Sequence, residues 1–224
     1  IKWKPTVLYW IFAAIIFGSA ALGRNVIKSL MKEQMELPDV AWGRLNASWG
    51  GFFTFMGVAN LIELLREAPE NIDLLAAFTV QEEVGLRGAR VAAYHLNPQI
   101  GIAVDSTPAN DLPSYDEDGE NTRYNTRLDH GPAIYLMDGA TIADRRLAEW
   151  LMKTAEDEGI PYQIRQPNPG GTDAGAIHKT RAGVPSISVS VPQRYCHTAA
   201  GLIRRADWEN TLRLLSAALA RDDE

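Results

Sequence analysis

The sequence predicts an α/β protein: a layered sheet over residues 62–224, preceded by an all-α, membrane-type helical segment over residues 1–61. Three observations lead there. Beyond residue 62, short apolar strand-like runs alternate with amphipathic helical runs, the pattern of a layered sheet. Before it, two long stretches carry no charge at all, Pro5–Gly23 and Leu45–Ile62. The overall net charge of −6 also conceals a split: residues 1–65 hold 6 basic and 4 acidic side chains and ten of the 19 aromatics, so the remainder carries −8. Such a shift marks segments suited to different surroundings. The acidic balance argues against a nucleic-acid partner, and one cysteine excludes a disulfide framework or a Cys-rich zinc ribbon.

Taken in chain order, Val7–Phe17 is apolar on every helical face, and the second uncharged stretch includes Trp49, Phe52, Phe53, Phe55 and Met56. Both sit at the short edge of the roughly 20 apolar residues that a spanning helix needs. Trp3, Tyr9, Trp10, Trp42 and Trp49 lie near their ends, as interfacial aromatics do. Between them, Val26, Ile27, Leu30 and Met31 recur at helical spacing, giving an amphipathic helix suited to a membrane surface. Pro38-Asp39 would stop that helix and cap the next. Membrane contact is therefore expected through residues 5–62. The same pattern also fits a buried helical hairpin in a water-soluble domain.

Leu61–Arg66 finishes a helix, and Pro69 breaks it. Asp73–Val80 reads as a buried strand, Gly88–His95 as a helix and Ile100–Val104 as a strand. Asp111–Arg127 is polar and reads as a loop. Ile134–Met137 is a short strand. Ala143–Glu158 is an amphipathic helix with Leu147, Trp150, Leu151 and Ala155 on one face. Tyr162–Arg165 and Ser186–Val191 are strands, and Asp207–Ala220 closes the chain as a helix capped by Asp207.

Ligands of open α/β sheets bind beyond the carboxyl ends of strands. Gln81-Glu82-Glu83 follows one predicted strand, Asp105 ends the next, and His197 follows a third by a short loop. Two carboxylates with an imidazole suit a hard-to-borderline metal ion, and a further carboxylate can serve as general base. Each piece alone has a plainer reading: a solvated turn for Glu82-Glu83, a turn or cap for Asp105, a surface histidine for His197. Gly170-Gly171-Thr172-Asp173 reads alone as a turn. His95, His130 and His178 have no partner spacing and read as structural, and Cys196 reads as a small packed residue.

Two sets of motifs resemble known families. Lys2-Trp-Lys-Pro-Thr-Val-Leu-Tyr-Trp10, Met35-Glu-Leu-Pro-Asp-Val-Ala-Trp42, Arg44-Leu-Asn-Ala-Ser-Trp49 and Gly57-Val-Ala-Asn-Leu61 resemble the C-terminal helices of intracellular septation protein A, a bacterial inner-membrane family. A start at Ile1 suits a fragment. Phe78-Thr-Val-Gln-Glu-Glu-Val-Gly-Leu-Arg-Gly-Ala89, Ile102-Ala-Val-Asp105, Gly170-Gly-Thr-Asp-Ala-Gly175, Gly183-Val-Pro-Ser186, Arg194-Tyr-Cys-His197 and Asp207-Trp-Glu-Asn210 follow in order. They resemble the C-terminal half of the tetrahedral aminopeptidases, also called glutamyl aminopeptidases or endoglucanase-M-like proteins.

The second resemblance implies a two-metal peptidase acting on N-terminal residues of peptides in the cytoplasm. Glu82 would be the general base, Glu83 and His197 ligands of one ion and Asp105 of the other. The ions would be zinc or cobalt, and Gly170, Gly171, Thr172 and Asp173 would shape the substrate pocket. The implied pattern also needs a His and a metal-bridging Asp ahead of Gln81. Residues 1–61 offer no His and only Asp39, so each ion would lean on water, and the layered sheet would be incomplete. The family's large assemblies are not carried over. The expectation is an impaired metal-dependent aminopeptidase. The alternatives are an inner-membrane septation-type fragment or an inactive fusion of two truncated proteins.

Overall fold

The structure, a computed structural model, describes residues 62–113, 124–166, 170–198 and 201–221. The helices expected before residue 62, and most of the loop expected over Asp111–Arg127, fall outside these residues. The chain divides into two units, Ile1–Glu63 and Leu64–Glu224, and the second holds the sheet and its helices. Among the described residues no helix is long and apolar enough to cross a membrane.

After a short helical stretch at residues 62–66, the elements run α1 (Arg87–Leu96), β1 (Gly101–Pro108), β2 (Ala133–Ile134), α2 (Arg145–Asp157), β3 (Gln163–Ile164), α3 (Ala174–Ile177), β4 (Ser186–Arg194), β5 (Leu202–Ile203) and α4 (Arg205–Ala220). The alternation expected from sequence is present, with α3 and β5 added. Both are too short to leave a periodic signature.

The sheet is mixed, in the order β1-β4-β2-β3, with β5 also on β4. β1 and β4 are parallel over their whole shared length, from Gly101 opposite Ser186 to Pro108 opposite Gln193. β2 runs antiparallel to β4, and β3 parallel to β2. β4 is therefore central, and eight of its nine residues are buried. Its Ile187 and Val189 form the middle of the core with Ile134, Leu151 and Leu214. α2 packs on α4, and both touch β4; α3 packs on α1 and touches β1 and β4.

α2 is held as its pattern demands. Leu147, Leu151 and Ala155 are buried on one face, while Trp150 is only half-buried and the inner positions go to Ala148 and Thr154 instead. Asp144 caps it, accepting from the Arg146 N–H at 2.9 Å.

Three expectations are corrected. Asp73–Val80 is not a strand but an irregular segment, with Leu75 43% and Val80 38% exposed. Its sequence suits a ladder, yet among the described residues no neighbouring strand pairs with it, and an unpaired strand has nothing to stabilise it. Asp207 is not the cap of α4; that position is Arg204. The Asp207 side chain, 1% exposed, instead accepts the N–H groups of Gly131 at 2.8 Å and Asp129 at 2.9 Å, tying the helix to the loop before β2. β1 and β4 also run on to Pro108 and Arg194, past the ends expected at Val104 and Val191, because each extends the other's ladder.

Candidate active site at the edge of beta strand 1

The junction between residue 80 and α1 sets the position of Glu82. The Gly88 N–H donates to the Val80 carbonyl at 2.9 Å and the Arg87 N–H to the Gln81 carbonyl at 3.2 Å. A Cβ at Gly88 would lie 2.4 Å from both the Val80 nitrogen and oxygen, so the approach requires glycine. Gln81 and Leu86 bracket the turn in the left-handed region, at φ 60 and 55. Within it the Glu82 carbonyl accepts from Gly85 and Leu86. Its side chain is half-buried.

Asp105 is fixed by the ladder, directly opposite Ser190 of β4. Its Oδ1 accepts the Ser106 N–H at 2.7 Å. β4 ends in a turn in which Tyr195 and His197 both adopt positive φ, 61 and 58, conformations that non-glycine residues hold at a cost. That turn brings His197 Nε2 to 3.1 Å from Glu83 Oε1, with both side chains more than two-thirds exposed. Asp173 begins α3, and its carboxylate accepts the Thr79 hydroxyl, so a residue 94 positions away anchors the segment leading to Glu82.

Electrostatics link these groups. Burial, then the charges of Asp105, Glu83 and Asp173, push Glu82 up to about 7. Burial also dominates at Asp105, which is raised to about 6, with Asp173 and Glu83 adding to the rise and Ser106 and His197 opposing it. Asp173 is raised by burial, against the pull of Thr79. The charges of four carboxylates are thus felt by one another, and a nearby cation would relieve their mutual repulsion.

Glu83 and His197 fit a borderline divalent ion in kind, a carboxylate beside an imidazole. They fall short in number. Among the described residues no group of three or more His, Cys, Asp or Glu side chains is drawn together closely enough to hold an ion.

Gly170–Asp173 runs up to α3. Gly171 packs toward Ala140, and Thr172 is buried with its hydroxyl 2.6 Å from that of Ser188. Two of the other three histidines are engaged elsewhere: His130 Nδ1 lies 2.8 Å from the Leu128 carbonyl and His178 Nδ1 2.8 Å from that of Ala174. Cys196 donates to the Gln193 carbonyl at 3.6 Å, and burial pushes its thiol up to about 11.

Sequence reasoning missed the polar support beneath Asp105. Ser190 donates to the Tyr135 hydroxyl at 3.0 Å, Arg165 donates to Thr107 at 3.1 Å, and the Arg165 guanidinium lies over the Tyr135 ring. The serines at alternate positions of β4, Ser186, Ser188 and Ser190, were the available signal.

The chain is 36% identical to an aminopeptidase, APDkam598, from the archaeon Desulfurococcus kamchatkensis, whose solved structure superposes with a TM-score of 0.65 over 72% of this chain and 45% of that one. It is 34% identical over 161 residues to the lysyl aminopeptidase of Pyrococcus furiosus, covering 71% of this chain and 44% of the relative. The N-terminal segment is 58% identical over 62 residues to the inner membrane-spanning protein YciB of Cupriavidus taiwanensis, covering 27% of this chain and 35% of that protein. The chain spans about half the length of the curated aminopeptidase relatives it matches. The intracellular septation protein A family matches residues 1–71. The M42 glutamyl aminopeptidase family matches residues 56–214, and the chain belongs to that family.

Proposed function

We propose that residues 62–224 form the C-terminal half of a metal-dependent aminopeptidase catalytic domain that removes N-terminal residues from peptides, with activity reduced because the metal shell is short. One observation carries this reading: Glu83 and His197, from separate parts of the chain, meet at 3.1 Å beside the Glu82 and Asp105 carboxylates. The family match and the aminopeptidase relatives support it.

In this reading Glu83 and His197 would hold one divalent ion and Asp105 a second, zinc or cobalt. Such ions, when bound, would polarise a peptide carbonyl and favour the hydroxide form of water. Glu82 acts as general base, its carboxylate receiving the proton of the attacking water and returning it to the leaving amine. Thr79 holds Asp173, and with it the Gly170–Asp173 wall against which the substrate terminus rests. The reaction is cytoplasmic.

A second reading is favoured by the meeting of the two family matches within residues 56–71. Here residues 1–61 are the tail of an inner-membrane protein, joined to a truncated peptidase with no integrated function.

Metal analysis of the purified chain, with hydrolysis of aminoacyl chromogenic substrates, separates the two. Metal-stimulated turnover abolished by Glu82→Gln supports the peptidase. Turnover that survives Glu82→Gln overturns the mechanism, and no turnover at all favours the joined-fragment reading. Sedimentation with membranes, released only by detergent, would support an inner-membrane role for the first segment.

A further inference from the structure

Arg165 is a charge that the fold does not pair. Its side chain is 5% exposed, and its Nη1 is buried without a partner. Among the described residues it forms no ion pair with a carboxylate. What holds it is one hydrogen bond, from Nε to the Thr107 hydroxyl, and the face of the Tyr135 ring. To make that bond the side chain leaves the end of β3 and reaches β1, across β2 and β4. A buried cation held by neutral groups is a poor stabiliser, so core packing does not account for an arginine here.

Counting lone pairs orders the protons around it. The Thr107 oxygen accepts from Arg165 Nε and from Asn125 Nδ2 at 3.3 Å, which fills both its lone pairs. Its own hydrogen must then be donated, and the Tyr135 phenol is the hydroxyl it bonds. Ser190 donates to the same phenol at 3.0 Å. With two donors on its oxygen, the Tyr135 O–H is left to point out of the network. Thr107, Asn125, Tyr135 and Ser190 are all buried, so water does not compete for these bonds.

The sheet register gives the direction. Ala133 of β2 and Asp105 of β1 both stand opposite Ser190 of β4. Tyr135, two positions beyond Ala133, therefore shares the Asp105 face of the sheet. Its phenol feels the charges of both Arg165 and Asp105. One Asp105 oxygen accepts the Ser106 N–H, and among the described residues the other has no protein donor.

We infer that Arg165 is a positioning residue for Asp105: by holding Thr107 and the Tyr135 ring, it makes the Tyr135 hydroxyl a fixed donor toward the free side of the Asp105 carboxylate. An aspartate oriented by such a partner is pre-set for the ion it would hold. The purpose of the device rests on the aminopeptidase reading of the site, but its test reads the coupling in the metal-free chain.

The test isotope-labels tyrosine at the ring carbon that bears the hydroxyl and follows the Tyr135 signal of the full chain by NMR, assigned with Tyr135→Phe. Asp105→Asn should shift that signal in the parent background. In the Arg165→Met background the same substitution should leave it unmoved, the two changes forming a double-mutant cycle. Arg165→Met should unfold no more than about 2 °C below the parent, since the buried charge it removes had no partner. Arg165→Lys keeps the charge but loses the planar fork, and it should weaken the coupling without erasing the fold.

A Tyr135 signal that ignores Asp105→Asn overturns the inference, as does a shift of equal size with and without Arg165. A fall in the unfolding midpoint well beyond that margin in both Arg165 variants makes the guanidinium a prop of the core and also overturns it. Cobalt titration of the parent chain tests the other reading separately. Absence of cobalt binding beside an intact coupling counts against the aminopeptidase reading and leaves Arg165 as the residue that positions Asp105.

Discussion

Asp111 and Arg194 form a two-pronged ion pair, Nε to Oδ1 at 2.7 Å and Nη2 to Oδ2 at 2.9 Å, that ties the loop after β1 to the end of β4, three residues before His197. Burial opposes the Asp111 charge most strongly, but the Arg194 hydrogen bonds and charge together with the Leu128 N–H outweigh it and hold the carboxyl below its ordinary value. A lowered folded value means that the pair stabilises above the unfolded value, near pH 4, and that this stabilisation is lost as pH falls through the folded one. Thermal unfolding across an acid series should show a steeper decline for the parent than for Asp111→Asn. At neutral pH the variant should be less stable by about 1–3 kcal/mol. Parallel acid profiles would refute the assignment.

Asp207 is the sole acceptor shown for the N–H groups of Asp129 and Gly131. Asp207→Ala strands the buried Gly131 donor and leaves the more exposed Asp129 N–H to water, and urea unfolding should register a loss of about 1–3 kcal/mol. Asp207→Asn keeps one acceptor oxygen and should lose less. Equal losses would mean that the hydrogen bonds are not the source.

Gly88→Ala places a Cβ against the Val80 backbone. The turn carrying Glu82 and Glu83 should move, at a cost of about 1–3 kcal/mol. Amide exchange at residues 80–88 should accelerate, while that at residues 186–191 of β4 stays near the parent rate.

Leu151 is fully buried on α2, facing the core. Leu151→Ala should destabilise by about 2–5 kcal/mol, in the same transition followed by Trp150 and Trp208 fluorescence. Two separate transitions would show that α2 and α4 are not one cooperative unit.

Chelation should scarcely move the midpoint of unfolding. Glu83 and His197 are largely exposed and hold no core element between them. A ligand contributes to stability only through its affinity for the folded chain, so a shift under about 2 °C on adding EDTA is expected by calorimetry. A much larger drop would indicate a third donor.

How much of the fold was legible in advance depended on whether a residue's partner is local. The α2 face of Leu147, Leu151 and Ala155 follows from helical period alone, and the existence of β1 and β4 from their short apolar runs. Asp73–Val80 failed because its apolar run specifies a strand only if a neighbour is there to pair with it. Asp207 failed because a helix-start aspartate looks the same whether it caps its own helix or reaches back to Gly131. At the candidate site the residue types, order and spacing of Glu82, Glu83, Asp105 and His197 were readable. The Thr79–Asp173 bond was not, since no short-range pattern links residues 94 apart. Nor was the Arg165–Thr107 support, which links the end of β3 to β1 three strands away.

The pairing of Gly101 with Ser186 has a consequence for synthesis. When β1 leaves the ribosome, the strand that will hold it is about 85 residues away. At roughly 5–20 residues per second that separation lasts on the order of 4–17 s. Throughout the interval β1 has neither of its edges satisfied, and the turn that orients His197 has not been made. Native pairing is thus deferred until β4 has emerged, a high-contact-order ladder that closes late and slowly. Recruitment of holding chaperones to the nascent β1 segment, and aggregation where they are depleted, would be the cellular signature of that topology.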